Sequence, residues 1–171
     1  MRKQKSIGEN VLLIRRVRAD DCEDVWRWRN DPLVRRFSFS QAEIPLLSHR
    51  VWFEEKIRNK NTVMFIFEDD QGAKVGQVRF EIMRDNTALI SVNMNPQYMG
   101  QGFGTYVIVE ATRTLIKENP MIVSVQAEVL EDNVVSQKVF QKAGYLLEGQ
   151  KIRDGKGFFV FIRLGRKSDG N

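Results

Sequence analysis

The sequence predicts an α/β (α+β) domain built on a mixed, mostly antiparallel sheet of six to seven strands flanked by about four helices. Between residues 62 and 94, three β-rich runs follow one another across short turns of Asp, Asn and Gly, which marks an antiparallel meander. After the pair Asn95-Pro96 the order becomes β-α-β-α-β-β, which calls for helices on both sides of a sheet. No repeat or low-complexity linker interrupts the 171 residues, so a single domain over 1–171 is expected, with flexible tails at about 1–8 and 166–171.

Each element has a local cause. Residues 11–17 are β-rich and form the first strand. Asp20 and Asp21 start a helix in which Val25, Trp26 and Trp28 fall at helical spacing, and Asp31-Pro32 breaks it. Pro45 suits the first turn of a second helix, along which Leu46, Arg50, Phe53 and Ile57 recur every three to four residues. Strands at 62–68, 75–82 and 87–94 follow, separated by Asp69-Asp70-Gln71-Gly72 and Asp85-Asn86. In the middle strand Val78, Phe80 and Ile82 alternate with Gln77, Arg79 and Glu81, so one face is apolar and the other polar. A glycine-rich turn then leads into a helix over 105–118, with Gly104, Val107, Ile108, Ala111 and Leu115 on one face. Asn119-Pro120 stops that helix. A strand at 122–128, a helix at 133–142 closed by Gly144, and a hairpin of 145–151 with 158–164 around Asp154-Gly155 complete the chain.

The composition narrows the class. Apolar residues make up 42% and include 11 Phe and 3 Trp, enough for one core without a metal or disulfide. The single cysteine, Cys22, cannot close an intramolecular disulfide. The apolar run 11–14 is too short for a signal core or membrane span, so a soluble cytoplasmic protein that binds no membrane is expected. The net charge of +5 fits a solvated basic face, an anionic small molecule or nucleic acid. The basic residues are interspersed with 22 acids and form no long block, which argues against nucleic acid.

The turn Met99-Gly100-Gln101-Gly102-Phe103-Gly104 lies between a strand and a helix. Glycines there let the backbone approach a ligand, and a helix N-terminus offers unpaired N–H groups to a phosphate, although a tight turn needs glycine with no ligand at all. No Gly-Lys-Ser/Thr follows, so the turn is not a P-loop, and the glycine spacing is too short for a dinucleotide fingerprint.

Asn93-Met94-Asn95-Pro96 followed by Met99 to Gly104 resembles the pyrophosphate-binding signature of the GNAT superfamily of N-acetyltransferases. Further on, Asn133-x-x-Ser136-x-x-Val139-Phe140-x-x-Ala143-Gly144-Tyr145 resembles its second signature. The resemblance covers essentially the whole chain. Two residues depart from it: Met99 stands where Arg or Gln is usual, and Phe140 stands where many members place a tyrosine that protonates the departing thiolate. The resemblance implies acetyl-CoA as cofactor, held by the backbone of Val92, Asn93 and Met94, by the turn Met99, Gly100, Gln101, Gly102, Phe103, Gly104 and Thr105, and by Asn133. It also implies that strands 87–94 and 122–128 splay apart around the pantetheine. Asn133 is equally a plain helix N-cap. Ser136 is a candidate for the vacant acid role, and otherwise a solvent-facing helix serine.

The reaction needs a neutral amine against a thioester and a base to take one proton. His49 is the sole histidine and the first candidate, though a lone histidine on an amphipathic helix is more often structural. Glu81 and Arg79, on the polar strand face, are candidates against a background of plain cross-strand ion pairing. Around them, Trp28-Arg29-Asn30, His49-x-x-Trp52-Phe53 and Gly76-Gln77-Val78-Arg79-Phe80 resemble the acetyltransferases of bacterial pseudaminic acid biosynthesis. That likeness implies a small-molecule amine acceptor, the 4-amino group of a nucleotide-linked amino sugar, with Trp28, Arg29, Asn30, Arg35, His49 and Arg79 binding it. The alternatives are an N-terminal acetyltransferase of ribosomal or other proteins and a non-catalytic CoA-binding module. An exposed edge strand near the C-terminus would suit a homodimer.

Overall fold

Three strands cross the middle of the molecule in sequence order: β4 (Thr62–Glu68), β5 (Lys74–Ile82) and β6 (Thr87–Met94), each antiparallel to the next. The computed structural model describes residues 6–7 and 10–165. The expected tails lie outside the described residues, apart from β1 (Ser6–Ile7), which pairs antiparallel with β2 (Asn10–Val11). The predicted first strand is divided, with β3 (Leu13–Arg16) joining the edge of the main sheet beyond buried Leu12. The remaining strands are β7 (Ser124–Leu130), β8 (Leu146–Arg153) and β9 (Lys156–Leu164), giving a seven-stranded order β3-β4-β5-β6-β7-β9-β8. Among the described residues only β6 and β7 run parallel; every other neighbour in this sheet is antiparallel.

Five helices stand among the described residues, where about four were expected. A single turn at Ala19–Asp21 leads into α1 (Cys22–Asn30), and Asp31-Pro32 does break it as expected. The chain then restarts at once as α2 (Pro32–Arg36), because the Asp31 carboxylate accepts from the Leu33 amide and Pro32 occupies the first helical position. The next helix is α3 (Leu46–Arg58), and Pro45 is its N-cap rather than part of its first turn. Behind the glycine turn lies α4 (Phe103–Glu118), and α5 (Val134–Lys142) precedes Gly144, whose φ of 83° ends the helix. Strand β7 begins two residues later than expected.

The two faces of the sheet carry separate cores. Val63, Phe65 and Phe67 of β4 and Val78 and Phe80 of β5 meet Val107, Ile108, Ala111 and Leu115 of α4. On the opposite face Met64 and Ile66 meet Val25 and Trp28 of α1 and Phe53 of α3. Burial of each large apolar side chain stabilises the fold by roughly 1.5–3 kcal/mol, so the second layer fixes where α1 and α3 stand against β4. A charged cluster joins the layers at one edge. Asp21, fully buried, accepts from Arg15 at 2.7 and 2.9 Å and from the Arg18 amide at 2.7 Å, with Lys74 2.8 Å away. Burial alone would raise this carboxyl, but the hydrogen bonds from Arg15, Lys74 and Arg18 outweigh it and bring its pKa down to about 2. No helix among the described residues is long and apolar enough to cross a membrane.

Candidate active site

The parallel pair β6 and β7 is the place where the sheet opens. Their ladder runs only from Thr87 opposite Ser124 to Ile90 opposite Ala127, and beyond it the two strands part. Residues Ser91 to Met94 thus lack β7 as a neighbour, and their backbone groups on that side face the gap. A cavity of about 510 Å³ fills the space between the parted strands, α1, α3 and the segment 37–44.

One flank of the gap leads to the glycine turn. Asn95 caps a short turn, Pro96–Tyr98, by accepting from the Gln97 amide, and its own amide donates to the Lys74 carbonyl. Gly100 and Gly102 then take φ of 75° and 85°, left-handed values that side chains resist. Gly102 is the N-cap of α4 and no side chain caps that end, so the first amides of a sixteen-residue helix are free for an anion. Gly104 faces α5, where a Cβ would meet the Val139 side chain at 3.4 Å.

The cavity wall on the α1 and α3 side carries the residues suited to an acceptor. Arg29 donates from Nη2 to the Ser40 carbonyl at 2.9 Å, while its buried Nη1 has no partner among the described residues. Burial, and then the nearby Arg79 and Arg35 charges, lower its pKa, so this site holds positive charge under strain. Arg79 lies over the Trp52 ring at 5.0 Å and donates to Ser91 Oγ at 3.3 Å. Its buried Nε stands 3.2 Å from Glu81 Oε1 without hydrogen-bond geometry. Burial lowers the Arg79 pKa, and Glu81 only partly opposes that.

His49 is 3% exposed, packed between Trp52 and Phe53, and its Nε2 lies 3.1 Å from the Cys22 carbonyl. A carbonyl can only accept, so Nε2 carries the proton and Nδ1 holds the free lone pair. Burial lowers the His49 pKa, which keeps the ring neutral near pH 7.

Across the gap, Glu128 of β7 is held at 2.7 and 2.8 Å by both Nη atoms of Arg153. Arg153 in turn lies over the Phe39 and Phe158 rings, and Lys156 donates to the Phe39 carbonyl at 2.8 Å. The segment 37–44 therefore roofs the cavity, fixed at the β8–β9 hairpin by Phe39 and at α1 by Trp26 and Asn30, which both donate to the Ile44 carbonyl.

The expected site residues divide into groups. Arg29, His49, Arg79, Val92, Asn93, Asn133 and Ser136 all line the cavity. Met94 and the turn from Met99 to Thr105 form the glycine-turn flank rather than the cavity wall. Trp28 is core, 6% exposed beneath α1, and Asn30 is spent on both backbone groups of Ile44. Arg35 stands outside the lining, with Glu43 4.0 Å away. Glu81 also lies outside it and is held by Lys56 at 3.0 Å, so the structure supports it as a brace for Arg79 rather than as the group that meets substrate. Asn133 caps α5 through the Ser136 amide. Phe140 lines the cavity where a tyrosine was the family expectation, and no tyrosine lines it among the described residues. The neighbouring Tyr145 hydroxyl is buried against Thr112 Oγ1 at 2.6 Å, and burial raises its pKa, so it cannot act as that acid.

Sequence reasoning missed Ser91, Glu128, Arg153 and the Phe39 roof. Ser91 and Glu128 sit in strands whose pocket-facing side depends on where β6 and β7 part. No periodicity in the sequence marks that point.

The comparisons agree with this geometry. Residues 11–146 match a family model described as an acetyltransferase (GNAT) domain. An uncharacterized Methanocaldococcus jannaschii protein, MJ1062, is 26% identical over 145 residues covering 82% of this chain and 29% of that protein, so the chain spans under a third of that relative's length. YwnH of Bacillus subtilis, provisionally named a phosphinothricin acetyltransferase, is 27% identical over 166 residues covering 91% of this chain and 99% of YwnH. A spermidine N-acetyltransferase from Vibrio cholerae, solved with CoA and spermine, superposes with a TM-score of 0.82 at 17% identity, covering 90% of this chain and 95% of that one. That likeness speaks for the fold.

Proposed function

Because this chain belongs to the acetyltransferase (GNAT) domain family, we propose that it carries acetyl from acetyl-CoA to a primary amine by direct attack within a ternary complex. The acceptor in this reading is the 4-amino group of a nucleotide-linked amino sugar. The observation that carries the transfer is the parting of β6 and β7 beyond Ile90 and Ala127, directly beside the glycine turn.

The residues present fit acetyl-CoA. Gly100 and Gly102 keep the turn open, the first amides of α4 are uncapped, and the backbone of Val92, Asn93 and Met94 faces a gap rather than a strand. When bound, acetyl-CoA supplies the activated acetyl thioester. The α4 amides bind the pyrophosphate and the freed β6 backbone binds the pantetheine amides. His49 Nδ1 takes the proton from the acceptor amine, with the ring tautomer set by the Cys22 carbonyl. In this reading Ser136, which lines the cavity, returns a proton where Phe140 cannot.

The acceptor class is supported by charge. Three arginines, Arg29, Arg79 and Arg153, line the cavity against one carboxylate, Glu128, which Arg153 already neutralises. Such a wall repels a polycation and suits a diphosphate, with Trp52 and Phe37 as flat faces for the sugar or base. The test is a free-thiol assay with acetyl-CoA against UDP-linked 4-amino sugars, N-terminal peptides, polyamines and aminoglycosides. Release with the amino-sugar nucleotides alone is expected. Release with peptides or polyamines alone would replace the acceptor class, and no release from a CoA-binding protein would remove the catalytic reading.

A further inference from the structure

Two polar side chains of β5, Arg79 on the cavity wall and Gln77 buried behind it, each reach across to a β6 residue that lines the cavity. Arg79 stands opposite Ser91 and donates to its hydroxyl at 3.3 Å. Gln77 stands opposite Asn93, whose Nδ2 donates to Gln77 Oε1 at 3.2 Å. Gln77 itself is buried, with 1% of its surface exposed. Its Nε2 is buried with no partner among the described residues, and its neighbour on β4 is the fully buried Ile66. Turning the Gln77 amide over would set its Nε2 against Asn93 Nδ2, donor facing donor, and lose that one bond.

A glutamine so placed costs the fold free energy, because its amide gives up water and recovers one bond. An unbranched apolar side chain of the same length would fill the space without that cost. Stability therefore does not explain Gln77. Its single bond does something specific: it commits the Asn93 amide nitrogen to the sheet and leaves Asn93 Oδ1 as the group presented to the cavity, with no partner among the described residues.

We propose that Asn93 Oδ1 binds the acceptor amine by accepting one of its N–H bonds, and that Gln77 is the positioning residue holding Asn93 in that orientation. An amine held by one N–H and by its bond to a seated acceptor has few directions left for its lone pair, and orientation of this kind governs rate. Glu81 and Lys56 brace Arg79 from the outer side. This assignment rests on the amine-acetylation reading above.

The test uses Gln77→Met, Asn93→Ala and the double variant, with acceptor kinetics at saturating acetyl-CoA. Calorimetric binding of the acceptor to the CoA-bound protein and the melting temperature of the free protein accompany them. For Gln77→Met the melting temperature should be unchanged or higher, the KM for acetyl-CoA within about twofold, and kcat/KM for the acceptor down about tenfold. Asn93→Ala should lower kcat/KM by about tenfold to a hundredfold and weaken acceptor binding. The double variant should be no worse than Asn93→Ala, since Gln77 acts only through Asn93. Wild-type activity in a folded Gln77→Met, or a double variant worse by the product of the single losses, overturns the proposal. Should Gln77→Met fail to fold, Asn93→Ala decides alone, and unaltered acceptor binding in that variant overturns it. A wild-type protein that binds CoA and acetylates no amine ends both readings, whereas an active wild type beside an equally active Gln77→Met ends this one only.

Discussion

Replacing Arg29 by methionine separates what the cavity does from what the fold needs. The guanidinium makes one hydrogen bond, to the Ser40 carbonyl, and buries Nη1 unpaired beside the like charges of Arg79 and Arg35. Methionine keeps the aliphatic stem and removes a buried charge that has no carboxylate partner, so the free protein should be as stable as wild type or more so. The acceptor should suffer. A hydrogen bond from a charged donor contributes about 1.5–3 kcal/mol, which corresponds to about a tenfold to 150-fold rise in KM for a diphosphate-bearing acceptor. Arg29→Lys retains the charge but not the fork and should fall between the two. The assay is acceptor KM at saturating acetyl-CoA, together with inhibition by UDP competitive against the acceptor. An unchanged KM and unchanged UDP inhibition in Arg29→Met, with CoA affinity intact, would refute the anionic-acceptor argument.

Other outcomes follow from the same structure. Asp21 carries a pKa of about 2 in the fold against an ordinary carboxyl in the unfolded chain, so its contribution is present above about pH 4 and lost as pH falls toward 2. Urea unfolding should accordingly weaken by about 2 kcal/mol over that window, and Asp21→Asn should cost about 3 kcal/mol at pH 7 by stranding Arg15 and Lys74. His49 has a pKa held below 6.5 by burial, so kcat/KM should be insensitive to this group above that pH and fall as pH drops through the lowered value. His49→Gln should remove that limb and lower kcat about a hundredfold; a retained limb would reassign the base, with Glu128 the next carboxylate to test. Gly102→Ala meets no steric neighbour but forces a side chain to φ 85°, so it should destabilise by about 1 kcal/mol and weaken CoA binding as the turn shifts. Unaltered CoA affinity in that variant would remove the glycine turn from the cofactor site.

Much of the fold was legible because its causes are local. The meander from β4 to β6 follows from alternation and turn residues, and α4 follows from a helical stripe behind three glycines. The restart at α2 escaped because Asp31-Pro32 serves as both a stop and a start, and only the hydrogen bond to Leu33 tells which. At the site, the polar face of β5 was visible from Gln77, Arg79 and Glu81, yet the roles within it were not. Trp52 and Ser91 draw Arg79 to the cavity, Lys56 draws Glu81 away from it, and Gln77 disappears behind Asn93. Those partners lie 12 to 27 residues distant in the chain for Arg79 and 25 for Glu81, and no spacing rule connects them. The Glu128–Arg153 pair joins strands that the sequence read correctly as strands but could not face toward one another.

The central claim is acetyl transfer from acetyl-CoA to an amine beside the parted strands. It is tested most directly by incubating the protein with acetyl-CoA and a UDP-linked 4-amino sugar, measuring free thiol and the mass of the nucleotide sugar together. The expected result is one thiol released for each N-acetylated product. Thiol release without an acetylated sugar, or acetylation of spermidine in preference to it, would contradict the acceptor half of the claim. No thiol release with any amine from a protein that binds CoA would contradict the whole.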